Sequence, residues 1–286
     1  MWYLQHVFPT DGKESENYIR MKYQHIVQAE FVDRPNRFIA HVKLARAEAV
    51  VRDVTETAPL AVVLENETYE AEIVTVHVKN TGRCQELLVP GTTVYLEKSS
   101  NPNRSTAYDL VAVEKGDRLI NMDSQAPNKV VEEWLWKKEL FPDLILVRPE
   151  TKYGNSRFDF YVETAGDASC GREAEKIFIE VKGVTLEENG VVRFPDAPSD
   201  RAVKHVEELV EAGRAGYRVL VIFVIQMEDV DYFTPNVRTH PEFARALQKA
   251  ASEGVEILAY DCKVTADSME VNHPVDVRLD ESSCPV

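Results

Sequence analysis

Long apolar runs are missing from this chain: no stretch approaches the eighteen or so consecutive residues that a membrane span requires. The opening Met1 to Lys13 has no basic region followed by an apolar one, which argues against a secretory leader and places the protein in the cytoplasm. Cysteine is scarce as well. Cys84, Cys170, Cys262 and Cys284 lie far apart with no C-x-x-C pair, which speaks against a zinc ribbon or a dithiol redox motif and favours reduced thiols. The seven histidines form no H-E-x-x-H pattern. Positive charge is short overall: 33 Lys and Arg stand against 48 Asp and Glu, a net charge of −15, the reverse of what usually draws a polyanion.

That deficit is uneven. Residues 1–125 hold 14 basic and 18 acidic side chains, a net of −4, so the remaining 19 and 30 leave −11 for residues 126–286. Within the first part, Arg34, Arg37, Lys43 and Arg46 fall in a run with no acid. A basic stripe therefore survives in an acidic protein, and phosphate binding through it should be weak and salt-sensitive. With 44% hydrophobic and 28% charged residues the chain reads as globular, long enough for one large domain or two modest ones. No internal repeat or low-complexity tract is visible.

Apolar and polar residues alternate over Gln24–Phe31 and Arg37–Ala45 around an Asp33-Arg34-Pro35-Asn36 turn. Further strands are expected at Tyr69–Val78, Thr92–Glu97 and Ala107–Val113, separated by Asn-Thr-Gly, Pro-Gly and Ser/Asn-rich turns. Five short strands so divided suggest a small barrel, with the OB-fold the natural candidate over 1–118. Such barrels hold nucleic acid in a groove of basic and aromatic side chains. Arg34, Arg37, Lys43, Arg83, Lys98 and Arg104 are the candidate phosphate contacts, with Tyr23, Phe38 and Tyr108 for stacking. Taken singly, each also fits a solvated arginine or a core aromatic. Asn80-Thr81-Gly82-Arg83 is the better case, because Asn and Gly permit a turn that aims backbone N–H groups outward beside an arginine.

The second part is organised around two short strand-like segments, Arg157–Glu163 and Ile177–Gly183. Side chains in a strand alternate between faces, so Glu180 and Lys182 point one way and Ile177, Ile179 and Val181 the other. Asp159 falls with Arg157, Tyr161 and Glu163, opposite Phe158, Phe160 and Val162. If the strands pair, Asp159 meets Glu180 and Lys182. Two carboxylates beside an ammonium group are what Mg²⁺-assisted phosphodiester hydrolysis needs, with the Val181 carbonyl a further ligand and Lys182 handling the attacking water. The same spacing also fits an edge hairpin whose charges face water.

Around these segments the expected order is helix (Lys129–Leu140), three strands, helix (Ser199 or Asp200 to Ala215), a strand buried on both faces (Val219–Ile225), helix (Pro241–Ser252) and a last strand (Val255–Tyr260). Arg201, Lys204, His205 and Glu208 recur at i, i+3, i+4 and i+7, a polar stripe on the second helix that also fits an ordinary wet face. Overall the fold is expected to be α/β, or α+β over the whole chain: a barrel over 1–118, then an α/β domain with a central mixed sheet over 119–286.

Lys152-Tyr153-Gly154, Arg157-Phe158-Asp159-Phe160, Phe178 to Leu186 and Phe194-Pro195-Asp196-Ala197 occur in the order in which their counterparts run in a known family. Together they resemble the PD-(D/E)XK (restriction-endonuclease-like) nuclease superfamily, and more closely the sugar fermentation stimulation protein family. Arg34-Pro35-Asn36-Arg37-Phe38, Asn80 to Arg83, Leu87 to Gly91, Ser100-Asn101-Pro102 and Asn121 to Lys129 extend the likeness through the barrel, so it covers most of residues 24–280. Phe158 stands where the superfamily often has Pro, and the acidic segment near 46–72 is inserted relative to the family.

The resemblance implies an OB-like domain joined to a nuclease-like one. It implies Asp159, Glu180 and Val181 as metal ligands with Glu133 completing the shell, unless Glu133 is a solvated helix charge. It implies Lys182, Lys204 and His205 as catalytic, with Arg201, Lys204 and His205 facing the scissile phosphate. Mg²⁺ is the expected cofactor, with Mn²⁺ as a substitute; the expected partner is nucleic acid, DNA before RNA, with no membrane and with a homodimer left open. The expected activity is metal-dependent nucleic acid cleavage. The alternative is a non-catalytic DNA-binding regulator tied to sugar catabolism, for which the nuclease-like domain is only a scaffold.

Overall fold

The structure is a computed structural model that describes residues 21–44, 72–80, 82–154, 156–169 and 171–280. The inserted segment near 46–72 lies outside the described residues except for Glu72.

The first six strands are β1 (Ile26–Asn36), β2 (Ile39–Leu44), β3 (Ile73–Val78), β4 (Thr93–Lys98), β5 (Tyr108–Lys115) and β6 (Arg118–Asn121). They form one sheet in the order β3-β2-β1-β4-β5-β6, and β3 also pairs in parallel with β5 through His77↔Asp109 and Val78↔Leu110, which closes a barrel. Period-2 alternation fills its interior: Ala40, Val42, Val76, Val94, Leu96 and Leu110 have no exposed surface. This is the expected OB-like barrel. Because β6 pairs with β5, the barrel sheet runs on to Asn121, past the expected boundary at 118/119.

The rest of the chain comprises α1 (Ala126–Trp136), β7 (Leu144–Tyr153), β8 (Ser156–Thr164), β9 (Lys176–Val184), β10 (Leu186–Glu188), β11 (Val191–Phe194), α2 (Asp200–Arg214), β12 (Arg218–Ile225), β13 (Tyr232–Pro235), α3 (Pro241–Ser252), β14 (Glu256–Thr265), β15 (Ser268–Pro274) and β16 (Asp276–Val277). The central sheet has the order β15-β14-β12-β9-β8-β7 and is mixed: β9, β12 and β14 run parallel, the outer pairs antiparallel. Val130, Val131, Trp134 and Leu135 of α1 cover one face, against Ile177, Ile179 and Val181. Val206, Leu209 and Val210 of α2, with Phe243 and Leu247 of α3, cover the other, against Phe178, Val221 and Phe223. β12, buried on both faces, reads as a continuous apolar run for that reason. Ser199 caps α2, its hydroxyl accepting from the Ala202 N–H at 3.2 Å. α1 spans 126–136 rather than 129–140. Pro127 lies in its first turn, where a missing N–H costs nothing, and Lys138, with φ of 59°, turns the chain just past its end. A second small sheet, β10-β11-β13-β16, was not expected from the sequence.

Barrel and α/β domain are joined by buried polar contacts. The Gln226 side-chain amide donates to the carbonyl oxygens of Asn121 (3.0 Å) and Asp123 (3.2 Å), and the Asn121 N–H donates back to the Gln226 carbonyl. Asp123, fully buried, pairs with Lys79 of the barrel at 2.6 Å. A buried ion pair with additional hydrogen bonds orients more than it stabilises, and here it leads directly into α1.

Candidate metal and nucleic-acid site

Backbone pairing determines where the carboxylates meet. β8 and β9 pair through Val162↔Ile177 and Phe160↔Ile179, and the ladder stops there. Val181 would be the next β9 residue on that flank to exchange backbone bonds. Instead its N–H donates to Asp159 Oδ2 at 2.7 Å. In an extended strand the N–H and C=O of one residue point to the same side, so the Val181 carbonyl faces the Asp159 flank as well. The parting of the strands also breaks the expected alternation. Phe158 and Tyr161 both pack on Phe178, with ring centroids 5.2 Å away in each case, while Phe160 packs on the α1 face.

Asn128, in the first turn of α1, donates to Asp159 Oδ1 at 2.8 Å. Asp159 thus has each oxygen held by an N–H. Gly183 sits where nothing larger fits: a Cβ there would lie 2.5 Å from Gln226 Oε1 and 2.7 Å from Pro127 Cγ, so the close approach of α1 to β9 depends on it.

Glu180, 2% exposed, points from the opposite side of β9 toward α2. Lys182 Nζ donates to its Oε1 at 2.5 Å, and His205 Nδ1 lies 2.5 Å from the same oxygen. Arg201 Nε donates to His205 Nε2 at 3.3 Å. A ring nitrogen that accepts carries no proton, so His205 is the Nδ1–H tautomer and donates to Glu180. Both donors converge on Oε1, and Oε2 is buried with no hydrogen-bond partner.

The two carboxylates are driven apart in acidity. Burial and the neighbouring Glu180 charge push Asp159 up to about 6, against the opposing pull of the Val181 N–H and Lys182. Burial also pushes Glu180 up, but the His205 hydrogen bond and the Lys182 ammonium outweigh it and hold Glu180 below the usual carboxylate range. Asp159 is the carboxylate that holds its proton more tightly, and Glu180 is the one that gives it up more readily.

Asp159, Glu180, Val181, Lys182, His205 and Arg201 are therefore brought together. Other expected residues are not. Glu133 lies five positions beyond Asn128 on α1, rotated by about 140°; it accepts from the Met21 N–H at 2.8 Å and pairs with Lys137 at 3.0 Å, so it takes no part. Lys204 is exposed and reaches Glu208 at 3.7 Å. His205, expected to face a phosphate, is buried and faces Glu180. Among the described residues no three His, Cys, Asp or Glu side chains form a metal cluster, which leaves two carboxylates and a backbone carbonyl.

On the barrel, Arg34 donates to the carbonyls of Arg83, Arg37, Asn80 and Gly82 at 2.6 to 3.2 Å, so it organises the loop rather than standing free. Arg104 makes a two-pronged pair with Asp109 at 2.6 and 2.7 Å. Arg37, Lys43, Arg83 and Lys98 have exposed side chains. Phe38 is 49% exposed, whereas Tyr23 is 4% exposed with its hydroxyl tied to Asn121 and Asp123, so of these two Phe38 alone can stack. Asn128 was missed by sequence reasoning, since an Asn at a helix start reads as an ordinary polar residue.

No helix among the described residues is long and apolar enough to cross a membrane. Residues 32–122 match the model of the SfsA N-terminal OB domain, and residues 125–268 that of the sugar fermentation stimulation protein RE domain. The chain is 52% identical over 259 residues to the sugar fermentation stimulation protein homolog of Ruminiclostridium cellulolyticum, covering 91% of this chain and 100% of that one. It is 50% identical to the homolog of Clostridium beijerinckii, with the same coverage. Among solved structures it is similar to Pyrococcus furiosus SfsA in complex with Ca²⁺, with a TM-score of 0.70 and 25% identity, covering 90% of this chain and 98% of that one. Its two domains, in this order and over nearly its whole length, are those of one family: the chain belongs to the sugar fermentation stimulation protein family.

Proposed function

We propose that the protein binds DNA and cleaves its phosphodiester bonds with the help of Mg²⁺ or Mn²⁺. The observation that carries this reading is the orphaned Oε2 of Glu180. An unpartnered buried carboxylate oxygen costs about 1–3 kcal/mol or more, and a hard divalent cation is the partner that recovers it. Asp159 and the Val181 carbonyl on the neighbouring flank supply the other oxygen donors, a set suited to Mg²⁺ because it leaves positions for water and phosphate oxygens. The Ca²⁺ held by the Pyrococcus furiosus relative supports an oxygen-donor site in this family.

When bound, the cation polarises the scissile phosphate and lowers the pKa of water. The chain's own residues do the rest. Asn128 and the Val181 N–H orient Asp159, while His205 and Lys182 fix the Glu180 rotamer by holding Oε1. Lys182, with its ammonium at the edge of the carboxylate pair, orients the attacking water, and Arg201 holds His205 in its donating tautomer. The exposed Arg37, Lys43, Arg83 and Lys98, with Phe38, guide the strand across the barrel.

The test is incubation of the wild-type protein and Asp159→Ala with single- and double-stranded DNA and RNA, in Mg²⁺, Mn²⁺ or EDTA. Metal-dependent cutting that the variant loses supports the enzyme. Equal gel retardation of DNA by both proteins without cutting sinks it in favour of a non-catalytic regulator, the reading that the family's link to sugar use favours.

A further inference from the structure

The turn expected to aim N–H groups outward beside Arg83 aims those of Arg83 and Cys84 at a carboxylate. Asp196, in the connection between β11 and α2, places Oδ2 2.7 Å from the Arg83 N and 3.3 Å from the Cys84 N, and both N–H groups donate to it. Arg34 engages the carbonyls of Asn80, Gly82 and Arg83, and the N–H groups of Arg83 and Cys84 are left to Asp196. Gly82 makes room: a Cβ there would stand 2.5 Å from Asp196 Oδ2 and 3.1 Å from its Cγ. Successive N–H groups in such a concavity form an anion site. The anion now in it belongs to the other domain.

We propose that this nest is a subsite for a phosphate group, and that Asp196 occupies it until a phosphate displaces it. The inference rests on the nucleic-acid reading above for its natural ligand, a backbone phosphate. Its position supports it. Asn80, whose side-chain oxygen accepts from the Gly82 N–H at 2.7 Å, also donates to the Met122 carbonyl at 3.0 Å, on the segment that leads into α1 and Asn128. On the other side, the connection carrying Asp196 leads into α2 and Arg201. The nest is therefore tied to both flanks of the carboxylate site. One Asp196 oxygen accepts both bonds, whereas a phosphate offers several oxygens and sits beside the exposed Arg83 side chain. Asp196 is an internal competitor. If it fills the nest about nine-tenths of the time, it lowers apparent phosphate affinity about tenfold.

The test uses the full chain as wild type, Asp196→Asn and Asp196→Asn/Gly82→Ala. Asn keeps an acceptor oxygen and the interdomain contact but loses the charge. One arm follows the ¹⁵N amide signals of Arg83 and Cys84 during titration with inorganic pyrophosphate. The other measures binding of a labelled single-stranded oligodeoxynucleotide in EDTA at two salt concentrations. We expect Asp196→Asn to bind the oligonucleotide about tenfold tighter, with both amides moving at lower pyrophosphate. In the double variant, where the added methyl fills the nest, both gains should vanish. Amides that stay unmoved by pyrophosphate in Asp196→Asn overturn the inference, and so does wild-type oligonucleotide binding that a folded Asp196→Asn leaves unchanged or weakens, which would make Asp196 a structural tie only. Amides that respond to pyrophosphate while no variant binds oligonucleotide uphold the phosphate subsite and refute the nucleic-acid reading instead.

Discussion

The barrel and the carboxylate site treat their charges in opposite ways. On the barrel, two arginines expected to meet phosphate are engaged within the protein: Arg34 with four backbone carbonyls, Arg104 with Asp109. In the α/β domain, Glu180 has two strong donors, and both fall on one oxygen, leaving the other bare. Residue type is therefore a poor guide to function here. Arg34 also keeps a buried Nε without a partner; what sets Glu180 apart is that its bare oxygen belongs to a carboxylate with a second carboxylate, Asp159, beside it.

The comparison breaks most directly at the bare oxygen. Glu180→Gln should lower metal-dependent cleavage by about a hundredfold or more, because the several kcal/mol of charge stabilisation a divalent ion provides depend on that carboxylate. Single-turnover cleavage with saturating Mg²⁺ measures it, and full activity in Glu180→Gln would remove Oε2 from the argument. His205→Ala should cost about 10- to 100-fold, the usual effect of losing a group that orients a ligand. Its metal-concentration dependence should shift upward, which a purely local packing loss would not produce.

Acidity offers a third way to sharpen the contrast. Asp159 is raised in the folded protein to about 6, so in EDTA its protonated form is favoured by folding. Relative to the fully protonated state, stability is intact below about 4 and falls by about 3 kcal/mol as pH rises through 6. Glu180 runs the other way: its contribution is present above the ordinary glutamate value and is lost as pH falls through its lowered folded value. Urea unfolding from pH 4 to 8 should show the Asp159 loss in wild type, its absence in Asp159→Asn, and its reversal by Mg²⁺. A flat profile in wild type would contradict the burial argument.

The smallest contrast separates the arginines. Arg34→Ala should destabilise the fold by about 1–3 kcal/mol, since four exposed to part-buried backbone carbonyls lose a charged donor. Arg37→Ala should leave stability within about 0.5 kcal/mol and reduce the salt slope of DNA binding by about 1. Equal effects of the two variants on both measurements would erase the distinction.

Much of this was legible in the chain. Period 2 in 177–183 put Glu180 and Lys182 on one face, and the polar stripe on α2 pointed at His205. The parting of β8 from β9 at Asp159 was not legible, because alternation assumes that pairing continues. Glu133 and Asn128 share one helix, and only the orientation of α1 against β9 decides which of them reaches the site. Arg34 looks the same in sequence whether it bonds carbonyls or phosphates. The strands β10, β11, β13 and β16, two to four residues each, are too short to show a period.

The hydrogen bond from the Val181 amide to Asp159 carries one more consequence. Every amino acid except proline supplies that amide, so this part of the site is written into the chain's path rather than into its spelling. Drift at position 181 can change the packing beneath the site while the grip on Asp159 persists. Only a proline there, or a swap of the amide for an ester by chemical synthesis, would release it.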